Sequence, residues 1–79
     1  MKARVVVTLR NGILDPQGKA IEGALKALHL QGIKTVRQGK IFDIELDEAD
    51  RGAAEALLRE ACEKLLANQV VEDFEVTLT

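Results

Sequence analysis

The sequence predicts an α+β domain in which two helices lie on one side of an antiparallel sheet. Three observations carry that expectation. Several short stretches alternate apolar and polar residues with period 2, as half-buried strands do. Two stretches repeat apolar residues at i, i+3, i+4 and i+7, as amphipathic helices do. The two kinds interleave along only 79 residues, so the chain is read as one domain, 1–79.

The first strand is read over residues 2–10. Ala3, Val5, Val7 and Leu9 fall on one face, and Lys2, Arg4, Val6, Thr8 and Arg10 on the other. Asn11-Gly12 ends it. Asp15 is placed as the N-cap of the first helix and Pro16 as its first residue, where a missing N–H costs nothing. Ile21, Ala24, Leu25 and Leu28 make its apolar stripe, Glu22 and Lys26 are spaced to pair, and Gly32 is the expected terminator after about Gln31.

Residues 34–46 read as a hairpin turning at Gly39, with one long bent strand as the alternative. Phe42, Ile44 and Leu46 point inward. Asp47 is expected to open the second helix, with Asp50 three residues on as in a capping box. Ala54, Leu57, Leu58, Ala61 and Leu65 form its stripe, Glu55–Arg59 and Glu60–Lys64 are spaced as ion pairs, and Asn68 is the expected terminator. A last strand covers 70–78, with Phe74, Val76 and Leu78 inward. The order β-α-β-(β)-α-β with right-handed crossovers gives a ferredoxin-like arrangement with the first strand central. Lys2, Arg4 and Arg10 then face Asp43, Glu45, Asp73 and Glu75 across neighbouring strands.

Composition narrows the function. The chain is 47% hydrophobic and 30% charged, with 11 basic and 13 acidic side chains and a net charge of −2. A globular chain this short buries only about 60% of its unfolded surface, so its core is marginal. One Cys makes no internal disulfide, and one Cys with one His makes no zinc site. Association with a partner is the expected supplement. The outer face of the sheet has no helix left to cover it, and Val6 and Ile41 lie there on adjacent strands. They are the expected self-association residues. An acidic pI near 5.3 and two aromatics argue against nucleic acid. No apolar run approaches a membrane span, and the N-terminus lacks signal-peptide features. A cytoplasmic protein is expected.

Candidate chemistry is sparse. His29, late in the first helix, reads as a solvated side chain near the negative end of the helix dipole. Cys62 reads as a packing residue, because a nucleophilic Cys needs a nearby cation or helix N-terminus and this one has Glu60 and Glu63 beside it. Asp47, Glu48 and Asp50 lack the ligand set of a calcium loop and read as helix capping. The segment Arg10–Gly18 stands apart. Gly18 in a first helical turn implies a close backbone approach, and helix-start N–H groups suit an anion. Yet no phosphate-loop pattern is present, and Ile13 and Leu14 also fit a hydrophobic staple.

That segment also carries a family resemblance. Asn11-Gly12-Ile13-Leu14-Asp15-Pro16-Gln17-Gly18-Lys19-Ala20 resembles the signature of the PurS family, the small subunit of phosphoribosylformylglycinamidine synthase. Val36-Arg37-Gln38-Gly39-Lys40 resembles that family's second characteristic stretch, and Asn11 stands where the family often has Pro. The resemblance implies a non-catalytic homodimer, or a dimer of dimers, in purine biosynthesis. Such a subunit joins a large ATP-dependent synthetase subunit to a glutaminase subunit and assists ammonia transfer. ATP and magnesium belong to the large partner, and no cofactor or metal is expected in this chain. It also implies that Asn11, Gly12, Asp15, Pro16, Gly18, Arg37, Gly39 and Lys40 form the partner-subunit surface. The reading from another class is an ACT-like regulatory domain that binds a small molecule as a dimer.

Overall fold

A computed structural model describes residues 1–11 and 15–79. The elements run β1 (Lys2–Leu9), α1 (Pro16–Ala27), β2 (Gly39–Glu45), α2 (Arg51–Ala61) and β3 (Glu72–Leu78), with a π-helical turn at Cys62–Leu66 after α2. The sheet has the order β2-β1-β3, antiparallel throughout, with the first strand central as expected. Alternation decides the faces. Ala3, Val5 and Val7 are buried, while Arg4 faces out and bonds Asp43 directly opposite at 2.8 Å. Arg10 pairs with Asp73 at 3.2 Å on the same outer side.

The expected hairpin at Gly39 does not form. Residues 33–38 carry no strand, and Gly39 opens β2 opposite Thr8. The backbone groups that a fourth strand would need are taken by α1 instead. Val36 N–H donates to Glu22 Oε2 at 3.0 Å, and Gln38 N–H donates to Asp15 Oδ2 at 3.0 Å. Glu22 therefore serves the chain's return and meets Lys19 at 3.6 Å, rather than the expected Lys26.

α1 starts as expected and stops early. Asp15 caps it by accepting from Gly18 N–H at 2.9 Å, with Pro16 at the first helical position. At the other end Leu30 N–H reaches Leu25 O at 3.2 Å and His29 N–H reaches Lys26 O at 3.0 Å. Those two bonds define a Schellman ending, so the left-handed residue that ends the helix is His29, at φ 61°, three positions before Gly32, the glycine expected to act there.

α2 begins at Arg51, not Asp47. Asp50 is its cap, accepting from Ala53 N–H at 2.9 Å, while Glu48 Oε1 accepts from Ala49 and Asp50 N–H. Its buried line is Ala54, Leu58 and Cys62. Leu57 and Leu65 of the expected stripe lie outside it, Leu65 with 83% of its surface exposed. The stripe as read was too wide for the sheet beneath it. The π turn, closed by Ala67 N–H on Cys62 O at 3.0 Å, brings Leu66 and Ala67 inward. Asn68 does not adopt the expected left-handed terminator. It starts β3 by hydrogen bonds, its side chain accepting from Val70 N–H and its carbonyl from Val71 and Glu72 N–H. Glu60–Lys64 forms at 2.6 Å, whereas Arg59 lies 6.0 Å from the Phe74 ring centre.

The core is Val5, Val7, Cys62 and Ala67, with Phe42, Ile44, Leu66, Phe74 and Val76 packed against it. No α1 residue belongs to it. The stripe expected to pack on the sheet stays largely in solvent, with Leu28 at 67% exposure. The molecule is long in consequence. Its extents are 49 × 25 × 15 Å and its radius of gyration is 16.0 Å, against about 11.6 Å for a compact chain of this length.

Candidate functional site

The described residues singled out in the two signature stretches meet at one junction where β1, α1 and β2 converge.

Asp15 is the centre of the junction. One carboxylate oxygen caps α1 through Gly18 N–H, and the other holds Gln38 N–H. These two donors, Gln38 first, hold the Asp15 carboxyl below the usual carboxylate range. It stays ionised at neutral pH, the opposite of what a general base near neutrality requires.

The two glycines are there for space. A Cβ on Gly18 would sit 2.3 Å from the Val36 carbonyl oxygen. A Cβ on Gly39 would sit 2.6 Å from the Val7 carbonyl oxygen and 2.9 Å from Thr8 Cγ2. The close approach that Gly18 implied is therefore an approach of chain to chain. It locks the segment before β2 against the first turn of α1.

Arg37 closes the junction from outside. Its guanidinium donates to Asn11 Oδ1 at 3.1 Å and to the Leu9 carbonyl oxygen. It thereby ties the end of β1 to the approach to β2. Lys40 lies opposite Val7, on the side of the sheet that faces the core, and reaches Glu72 of β3 at 3.7 Å across β1. Pro16 is exposed beside them. Between these groups is a polar recess of about 330 Å³, lined by Asp15, Gln17, Gln38, Lys40 and Glu72 over Val7 and Leu9. Gly12, and the staple assigned to Ile13 and Leu14, lie outside the described residues.

The junction can position chain and present charge. Its polar groups hold one another, and among the described residues none is set as a nucleophile beside a base. Cys62 is remote from it, in the core, where burial pushes its thiol up from the ordinary value. His29 is exposed at the far end of α1. The expected self-association pair, Val6 and Ile41, sit directly opposite each other on the outer sheet face, Val6 half-buried and Ile41 with 59% exposure. Sequence reasoning missed Glu22 and Glu72 as members of the junction. Glu22 looked like half of a helical ion pair, and nothing in the local pattern marks a carboxylate that bonds the backbone 14 residues on.

Comparison with known proteins agrees with the geometry. The family model PurS, phosphoribosylformylglycinamidine (FGAM) synthase, matches residues 2–79. The phosphoribosylformylglycinamidine synthase subunit PurS of Mycobacterium leprae is 49% identical over 76 residues, covering 96% of this chain and 92% of that one. Among solved structures, Methanocaldococcus jannaschii PurS superposes with a TM-score of 0.88 at 37% identity, covering 96% of this chain and 92% of that one. A chain of PurLQS from Thermotoga maritima gives a TM-score of 0.88 at 34% identity, with 96% and 93% covered. The solved relatives share this overall fold over nearly the whole of both chains, and the chain belongs to the PurS family of FGAM synthase.

Proposed function

We propose that this chain is the connecting subunit of an FGAM synthase. It joins a large ATP-dependent synthetase subunit to a glutaminase subunit and assists the transfer of ammonia between them. The observation that carries this reading is the match, over nearly all of both chains, to a chain of PurLQS from Thermotoga maritima. The junction supports it, since its groups are arranged to hold a shape rather than to turn over a substrate. As a PurS-family member the chain acts in purine biosynthesis. In this reading it works in the cytoplasm as a homodimer or a dimer of dimers, and ATP and magnesium are held by the large partner. No helix among the described residues is long and apolar enough to cross a membrane.

The partner-facing surface is the junction, with Asn11, Gly12, Asp15, Pro16, Gly18 and Gly39 setting its shape and Arg37 and Lys40 supplying charge. Val6 and Ile41 serve contacts between copies. The test is reconstitution with the large and glutaminase subunits, reading FGAM formation from glutamine and, separately, from ammonia. Lys40→Glu places a second carboxylate beside Glu72 and lowers the glutamine-dependent rate about tenfold, equivalent to ~1.4 kcal/mol. The ammonia-dependent rate stays near that of the unaltered complex. Arg37→Ala acts in the same direction by freeing Asn11. Unchanged glutamine-dependent synthesis with both variants overturns the assignment.

A further inference from the structure

We infer that the free edge of β3 docks an extended strand of a partner subunit, and that this strand is basic on its outer side. The inference rests on the connecting role proposed above and gives one of the other two subunits a second place to hold.

The first observation is the hydrogen bonding of the edge. Arg10 N–H donates to the Val71 carbonyl oxygen at 2.8 Å, and Thr79 N–H donates to the Lys2 carbonyl oxygen at 2.9 Å. With the register, these bonds fix which residues of β3 face β1. Asp73, Glu75 and Thr77 turn their N–H and C=O groups towards β1, and Phe74, Val76 and Leu78 turn theirs away from the sheet. Among the described residues those outward groups of Phe74, Val76 and Leu78 have no partner. The edge is also unprotected. β3 pairs with β1 without a bulge and holds no Pro, Lys or Arg, the usual devices against further pairing.

The second observation is the charge pattern, which sets the chemistry of the occupant. On the outer face β2 presents Asp43 and Glu45, β1 presents Lys2, Arg4 and Arg10, and β3 presents Asp73 and Glu75. The sign alternates from strand to strand. Arg4 is taken by Asp43 at 2.8 Å and Arg10 by Asp73 at 3.2 Å. Glu75 stands opposite Val6 and has no ion-pair partner among the described residues. A strand beyond β3 that continues the alternation carries Lys or Arg on its outer side, beside Asp73 and Glu75. On the inner side Phe74 and Val76 are only half-buried, so apolar residues there extend the core. The occupant is therefore an extended segment that alternates basic and apolar residues.

The third observation is position. β3 starts at Glu72, which lines the recess of the junction, so a subunit seated on the junction has this edge beside it. A second copy fits the edge poorly. Its own edge strands, β2 and β3, are acidic on the outer side, and edge-to-edge pairing sets like charges together. The edge of β2 is the weaker site, since Asp43 is already paired and Glu45 stands opposite Lys2.

Amide hydrogen exchange of the labelled chain, alone and assembled with the large and glutaminase subunits, tests this residue by residue. In the chain alone Asp73, Glu75 and Thr77 are expected to be protected and Phe74, Val76 and Leu78 to exchange fast. Assembly is expected to slow those last three amides by about tenfold or more. Glu75→Lys is expected to keep its circular dichroism spectrum and weaken assembly about tenfold. Asp47→Lys makes the same change of charge at an exposed residue off this edge and is expected to assemble like the unaltered chain. An unaltered chain that assembles with neither subunit overturns the connecting role and the docked strand with it. Assembly that leaves Phe74, Val76 and Leu78 exchanging fast overturns only the docked strand. Protection of those three amides in the chain alone also overturns it, because the edge is then already covered. Equal assembly by Glu75→Lys and the unaltered chain, or equal weakening by Asp47→Lys, overturns the basic occupant.

Discussion

The two helices are close to the same length, 12 and 11 residues. Each begins on an Asp that accepts from the N–H three residues on, and each carries an apolar stripe. They are held in opposite ways. α2 is held along its length by burial, with Ala54 and Leu58 buried and its C-cap Cys62 packed in the core with Val5 and Val7. α1 buries only Gly18 and is held at its start by three hydrogen bonds and one close backbone approach. Burial is non-directional and secures an element, whereas a polar clamp is directional and aims one. α2 completes the core, and α1 projects from the junction as a surface.

The largest test of that contrast is truncation within each helix. Leu58→Ala removes a side chain with 2% exposure and is expected to cost about 2–5 kcal/mol, read from urea denaturation. Leu25→Ala in α1, measured where the chain is monomeric, is expected to cost less than about 1.5 kcal/mol, because that side chain is only half-buried. Equal costs would break the comparison.

A smaller effect separates space from propensity at Gly18. Alanine would gain about 1 kcal/mol in an open helix. Here its Cβ meets the Val36 carbonyl, and the expected result is a net loss of about 1–3 kcal/mol. Faster amide exchange at Val36 and Gln38 would locate that loss at the clamp. A stabilised variant would show the approach to be loose.

The smallest effect is the pH dependence of the clamp. The folded state holds Asp15 below its unfolded pKa of about 3.9, through the N–H groups of Gln38 and Gly18. Its contribution is therefore complete above that value and is lost as pH falls through the lower, folded value. Asp43, held low by Arg4, adds in the same direction. Asp15→Ala should flatten the fall in urea midpoint between pH 5 and pH 2 (about the carboxylate range) relative to the unaltered chain. A variant with the same acid slope would remove Asp15 from the account.

Much of the fold was readable because its signals are local. Alternation in β1 placed Ala3, Val5 and Val7 inward, and Asp15-Pro16 marked the start of α1. Opposed charges across the strands found Arg4 with Asp43 and Arg10 with Asp73. The errors fell where a distant group outbid a local one. Glu22 took Val36 instead of Lys26, and the segment before Gly39 bonded α1 instead of forming a strand. Helix ends slipped for a related reason. Glycine and Asp-x-x-Asp patterns mark permitted termini, and the hydrogen bonds of His29, Leu30 and Asp50 chose among them. At the junction, the two signature stretches identified nearly every member that the structure brings together, but not that Arg37 would be spent on Asn11 and Leu9.

The sequence by itself determined the element types, the faces of the strands, the absence of internal cross-links and the family, because periodicity, cysteine count and motif are properties of neighbours along the chain. Only the tertiary structure decided that one stripe is buried and the other is left exposed. A stripe records that a helix side is apolar. What lies against it depends on where the rest of the chain goes, and here the clamp at Asp15, Gly18 and Glu22 sends α1 away from the core.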